Sequence, residues 1–243
     1  MAEIIFEGKV PKEAIILEGF QGIGLVGTLA AEYIAEQKKA KVVGYVDVLE
    51  LPPIALLVEG SIKNPIRIYH FKEKKQDFLI FVSELPMPQK LANVIAKSIV
   101  DFAEQNKAKK IISLEGLSVP ESPAESNTYW VSNNTKFFSK KFEKVSKPLN
   151  SGIIVGVSAS LLTQAKMKNI PSIVLMAEAH TNFPDGSAAS SLIKILNKIY
   201  NLNVDVEKLE KESENFEKKI WNIIEKAKKL KDSGKTPGKT YIG

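Results

Sequence analysis

The chain has 243 residues, 44% of them apolar and 26% charged, with a formal net charge of +6. That length can bury a sizeable core, and no run approaches the roughly 18 apolar residues of a membrane span. The absence of cysteine excludes disulfides, a thiolate nucleophile and a cysteine-ligated metal. Its positive charge is spread over lysines interleaved with glutamates, with very few arginines and no aromatic-basic motif, so it reads as a solvated surface and not as a nucleic-acid site.

Residues 1–9 carry acids within a short apolar stretch and lack the basic start and apolar core of a secretory signal, which predicts a cytoplasmic protein. Residues 4–6 form a short first strand. The buried-type run Ala14-Ile15-Ile16-Leu17-Glu18 then drops into Gly19-Phe20-Gln21-Gly22-Ile23-Gly24-Leu25-Val26-Gly27 and leaves through a helix over 28–35. Gly22, Gly24 and Gly27 satisfy the G-x-G-x-x-G spacing, and Asp47 closes the next strand about where a ribose-binding acid would stand. One reading is therefore a nucleotide- or nucleoside-binding α/β enzyme. The other gives the glycines to a tight turn and to close packing of a helix on a sheet. The segment after Asp47 favours the second, because Pro52-Pro53 blocks a second crossover helix and directs the chain into another extended run.

Two apolar runs, 66–71 and 78–82, flank the charged turn 72–77 and predict a hairpin. Pro86 and Pro88 introduce a helix whose Leu91, Val94, Ile95, Ile99 and Phe102 share one face. Residues 110–117 are a buried-type strand, and 118–134 an irregular loop in which Thr128-Tyr129-Trp130-Val131 can pair as a short strand. Phe137, Phe138 and Phe142 anchor a helical segment after that loop. A second glycine turn, 152–157, opens a helix from Ser158; a strand over 171–178 and a helix over 187–200, introduced by Pro184-Asp185-Gly186, come next. The alternation gives a three-layer α/β/α sandwich with a mixed sheet over residues 1–203.

Beyond Asp205, an N-cap, the residues Leu209, Ser213, Phe216, Ile220, Ile223, Ala227 and Leu230 step by four and three. Residues 204–230 thus form an amphipathic helical segment, packed on its own domain or on another subunit. Residues 231–243 have the composition of a flexible basic tether. The aromatic and aliphatic residues at its tip, Tyr241 and Ile242, have nothing local to pack against, which marks Lys239, Thr240, Tyr241, Ile242 and Gly243 as candidate partner-binding residues.

Enzyme signatures are sparse. His70 lies in a strand, where a structural role is expected, and His180 lies in a strand-to-helix loop and is the better catalytic candidate. There is no G-x-S-x-G elbow, no H-E-x-x-H, and no Gly-Lys-Ser/Thr ending to the glycine turn. Glu18, Glu115, Glu178 and Asp185 fall near strand ends, where a carboxylate pair or simple capping groups can form. No catalytic, cofactor or metal residue is assigned.

Several segments in a fixed order carry a resemblance: the glycine turn, Leu51-Pro52-Pro53, Gly60 before Pro65-Ile66-Arg67-Ile68-Tyr69, Leu114-Glu115-Gly116-Leu117, residues 155–162, Ile170-Pro171, and Phe183-Pro184-Asp185 before Ala188-Ala189. Together they resemble the proteasome assembly chaperone family, in particular the archaeal homologues of its second eukaryotic member. The resemblance implies a phosphorylase-like fold without enzymatic activity or cofactor. It also implies a homo-oligomer, taken as a tetramer, that binds proteasome α-subunits or the core particle as an assembly chaperone or ATP-independent activator. In related binders the tail ends in a hydrophobe, a tyrosine and any final residue, and inserts between α-subunits. Here Tyr241 stands third from the end and Thr240 replaces the hydrophobe, so docking would take a related form. A general holdase for unfolded clients is a further alternative, suggested by the tail and the helical extension.

Overall fold

Four nearly continuous apolar runs make the centre of the sheet. In the computed structural model, which describes residues 1–58, 60–119, 126–179 and 184–209 with Asn222, Glu225 and Lys226, these are β2 (Ile15–Gly19), β7 (Gln76–Ser83), β8 (Lys110–Ser118) and β11 (Ser172–Ala179). They run parallel, β7 and β8 flanking β2 and β11 beyond β8. Parallel strands covered on both faces need apolar side chains in both directions, and the alternation sorts them into two cores. Ile15, Leu17, Phe78, Ile80, Ile112, Leu114, Ile173 and Leu175 face one core. Ile16, Leu79, Phe81 and Ile111 face the other.

Antiparallel strands widen the sheet. The charged turn at 72–77 joins β6 (Ile66–Glu73) to β7 as a hairpin in which Lys74 takes a positive φ. Beyond β6 lie β3 (Lys41–Val48) and the edge strand β1 (Ala2–Phe6). On the other side β9 (Thr128–Ser132) pairs antiparallel with β11 and carries the two-residue edge β10 (Lys147–Pro148). The order β1-β3-β6-β7-β2-β8-β11-β9-β10 is an open mixed sheet of nine strands. After Pro52-Pro53 the chain forms a separate ribbon of β4 (Leu56–Val58) and β5 (Ser61–Lys63), with Leu57 and Ile62 exposed.

Helices cover both faces, as the three-layer expectation requires. On the first, α1 (Val26–Gln37) and α5 (Gly186–Tyr200) bury Leu29, Tyr33, Ile34, Leu192, Ile193 and Leu196, and Phe138 and Phe142 of α3 (Thr135–Phe142) join them. On the second, α2 (Gln89–Gln105) buries Leu91, Ile95, Ile99 and Phe102 beside Leu161 and Ala165 of α4 (Val157–Met167). Asp185 starts α5 by accepting the Ala188 N–H at 2.9 Å. Asp205 caps the helical turn at 206–209 by accepting the Glu207 N–H at 3.1 Å, and Leu209 is buried in the first core. The first residue of the C-terminal seam therefore packs on its own domain; its other positions, Ser213 to Leu230, lie outside the described residues, as do residues 227–243.

Candidate functional site

From the carboxyl end of β2 the chain moves toward the β1 edge of the sheet, and from that of β8 toward the β10 edge. Divergence of this kind leaves a crevice beyond the strand ends, the usual place for a ligand in an open α/β sheet. Glu18, at the end of β2, is fully buried; its Oε1 accepts the Phe20 N–H at 3.0 Å. Ser158, in the first turn of α4, brings its hydroxyl 2.8 Å from Glu18 Oε2 and 2.6 Å from Glu115 Oε1 of β8.

One hydroxyl carries one proton. Ser158 can donate to only one of the two carboxylates, so the second short contact requires a protonated carboxyl that donates to the Ser158 oxygen. The electrostatics agree: burial, with the neighbouring Glu18 charge, pushes Glu115 up to about 8, and burial raises Glu18 as well. The pair with its serine is a proton-sharing unit linking β2, β8 and α4. Glu115 also lines a cavity of about 250 Å³, walled by Phe20, Gln21, Met87, Leu117, Ile154 and Met176 among others. None of the described lining residues is Lys, Arg or His. Ile153 and Val155, 92% and 64% exposed, stand in the loop beside it.

The glycine turn is built for packing. A Cβ on Gly22 would lie 2.2 Å from Glu115 Oε2, and one on Gly27 would lie 2.1 Å from the Leu114 carbonyl. Gly24 takes a φ of 59° in the short 3-10 turn Ile23–Leu25, and its carbonyl accepts the Asp185 N–H at 2.8 Å. Val26, Gly27 and Thr28 at the start of α1 are buried. A phosphate brought to this turn would meet the Glu115 carboxyl. Asp47, the candidate ribose ligand, is exposed on β3, three strands from β2. The turn and Asp47 do not form one site.

A model of the PAC2 family matches residues 16–224. The chain belongs to the PAC2 family. Among solved structures it is similar to Pyrococcus furiosus PbaA, described as an archaeal homolog of proteasome-assembly chaperone, with 32% identity and a TM-score of 0.84 over 94% of this chain and 100% of that one. P. furiosus PbaB, an archaeal proteasome activator, shares the fold at a TM-score of 0.79 and 22% identity, covering 91% of this chain and 98% of that one. An uncharacterized protein of Methanocaldococcus jannaschii is 28% identical over 230 residues, 94% of this chain and 92% of that protein.

In this PAC2 chain the only arginine, Arg67, is a second buried charge centre. It reaches both oxygens of Glu84 (3.0 and 2.6 Å), Glu32 Oε1 (2.8 Å) and the Tyr69 hydroxyl (2.9 Å). One cation faces two carboxyls here; burial pushes Glu32 up to about 7 against the pull of Arg67. The cluster ties α1 to β6 and to the end of β7, a bracing role. The sequence shows the Arg67 segment but not the network; a lone arginine in an apolar strand is the one signal of it. His70 pairs with Asp77 at 2.9 Å across the hairpin, the structural role expected of it. Glu178 accepts from the Tyr129 hydroxyl and Asn127, and Asp185 caps α5, so the strand-end acids separate into one pair and two hydrogen-bonding groups. His180, and the tail residues Lys239, Thr240, Tyr241, Ile242 and Gly243, lie outside the described residues.

Proposed function

We propose that this PAC2-family protein is a non-enzymatic, cytoplasmic, proteasome-binding protein, an assembly chaperone or ATP-independent activator. The observation that carries this is the likeness to PbaA along nearly the whole chain, at 32% identity and a TM-score of 0.84. The glycine turn, packed against a carboxyl, supports the reading by removing the best sequence argument for a nucleotide enzyme. In this scheme residues 1–203 are the body, 204–230 a helical segment and 231–243 a tether whose last five residues engage the proteasome core particle. Several tails on one homo-oligomer, taken as a tetramer, would add weak contacts through effective concentration. Burial of Tyr241 and Ile242 and pairing of the terminal carboxylate with a basic group supply the individual contact.

The test is native mass spectrometry with an archaeal core particle, comparing the full chain with a version lacking residues 239–243. The expected result is binding by the full chain and reduced binding by the truncated one at an unchanged oligomeric state. Equal binding would move the contact to the folded body. No binding by the full chain would overturn the proposal.

A further inference from the structure

The cavity above the Glu18–Ser158–Glu115 unit is accounted for neither by packing nor by proteasome binding. Its position is the crevice where open α/β sheets hold ligands. Its volume of about 250 Å³ equals roughly eight waters at about 30 Å³ each. The polar side chains of its described wall are Glu115, Gln21 and Gln89, and the one charged group among them is a carboxyl. Glu115 presents a carboxyl, and Gln21 lines the same wall with its Oε1 turned away from solvent and without a hydrogen-bond partner, so its amide rotates to meet a donor in the cavity. A buried acceptor left without a donor is costly, and a ligand that donates to it recovers that cost. Gly22 and Gly116 let the turn and β8 close on each other at the acid end: a side chain on the first would strike Glu115 Oε2, and one on the second the Ile23 carbonyl.

A complementary ligand carries a compact donor with positive charge at one end and a short apolar body at the other. We infer that this cavity binds a primary amine, its ammonium between Glu115 and Gln21 and its aliphatic part against Met87, Ile154 and Met176. The ammonium donates three N–H bonds and supplies the cation that the described wall lacks. Exposed Ile153 and Val155 cover the outer end of the aliphatic chain. A free small amine and a lysine side chain of a partner protein present the same chemistry. Among the described residues Glu18 is the other titratable group bearing on Glu115; Ser158 faces it from α4 and Met176 is its register partner on β11. Amine binding therefore expels the proton the pair shares, and affinity rises with pH through neutrality.

The inference goes beyond the proteasome reading and does not rest on it. The experiment is titration calorimetry of the full chain with n-pentylamine, with pentan-1-ol and pentanoate as neutral and anionic isosteres, in two buffers of different ionisation heat. The expected result is one site per chain, at least tenfold preference for the amine, and proton release on binding. Glu115→Gln should weaken binding at least tenfold, and the exposed-loop change Ile153→Ser by a smaller factor. A short acetylated, amidated lysine peptide separates the sources: Glu115-dependent binding of the peptide assigns the site to a partner's lysine, and binding of the free amine alone assigns it to a small molecule. No saturation by either amine, equal binding of the three isosteres, or binding unchanged in Glu115→Gln would overturn the inference. If Glu115→Gln does not fold, the isosteres and Ile153→Ser still decide it.

Discussion

Replacing Glu115 by glutamine tests the proton-sharing unit directly. The folded pKa of Glu115 is raised to about 8 from an ordinary 4.5, so between those values the folded chain holds a proton that the unfolded chain has released. Stability from this group is thus fully present below the unfolded pKa and is lost as pH rises toward the folded one. One whole proton corresponds to a slope of about 1.4 kcal/mol per pH unit, or about 3 kcal/mol between about pH 5.5 and about pH 7.5. Glu115→Gln keeps the shape and the Ser158 contact but cannot titrate. Urea unfolding across that window should give a variant whose stability falls less steeply than the parent's by about 1.4 kcal/mol per unit. Glu32, raised to about 7, adds its own slope, but it is the same in both proteins and cancels in the comparison. Above about pH 8 the parent buries the Glu115 charge, which the variant lacks, and the variant should be the more stable protein. Because Glu18 is itself raised by burial and can take up the proton in Glu115→Gln, the decisive comparison is the double variant Glu18→Gln/Glu115→Gln: a pH profile parallel to the parent's there would refute the shared proton and give both short Ser158 contacts another origin.

Two further substitutions probe the packing that positions this site. Gly27→Ala places a methyl 2.1 Å from the Leu114 carbonyl and forces α1 off the sheet; the expected loss is about 1–3 kcal/mol in urea unfolding, net of any gain in helix propensity. A loss near zero would show that α1 moves freely. Arg67→Met leaves Glu84 and Glu32 buried without their cation and should cost about 3–5 kcal/mol. That loss should grow as pH rises through about 7, where Glu32 ionises, and Glu84→Gln on the same background should restore part of it. A pH-independent loss below about 1 kcal/mol would reduce the cluster to a surface ion pair.

Much of the architecture was legible because it is local. Two apolar runs around the charged turn 72–77 specified the hairpin, the spacing of Leu91, Val94, Ile95, Ile99 and Phe102 specified the inner face of α2, on which Val94 alone is only half-buried, and Asp185 and Asp205 mark helix starts that the structure keeps. The candidate site was legible only as parts. Glu18 and Glu115 were recognisable as strand-end acids, but which strands become neighbours is decided by crossovers, and Ser158 lies 140 residues from Glu18 along the chain. No local pattern carries that pairing. The run Gly152 to Val155 shows the converse. It is as apolar as a strand, yet it remains an unpaired loop with Ile153 exposed beside the cavity, because burial depends on what lies opposite.

The glycine spacing misleads for a physical reason. A strand, a glycine turn and a helix set a helix N-terminus beyond the sheet whatever the ligand, and that end attracts anions only if its amides are open. Here Thr28 Oγ1 bonds the Ser83 carbonyl, Gly27 presses on Leu114, and Gly24 is engaged by the Asp185 amide, so the end of α1 is closed by protein. The free volume lies between residues 20–23 of the turn, the end of β8 and the loop before α4, where the one charged side chain of the described wall is the Glu115 carboxyl. The same topology has exchanged the sign of its crevice. Function therefore has to be argued from the acid and amide in the wall, and the fold alone would have pointed to the opposite charge.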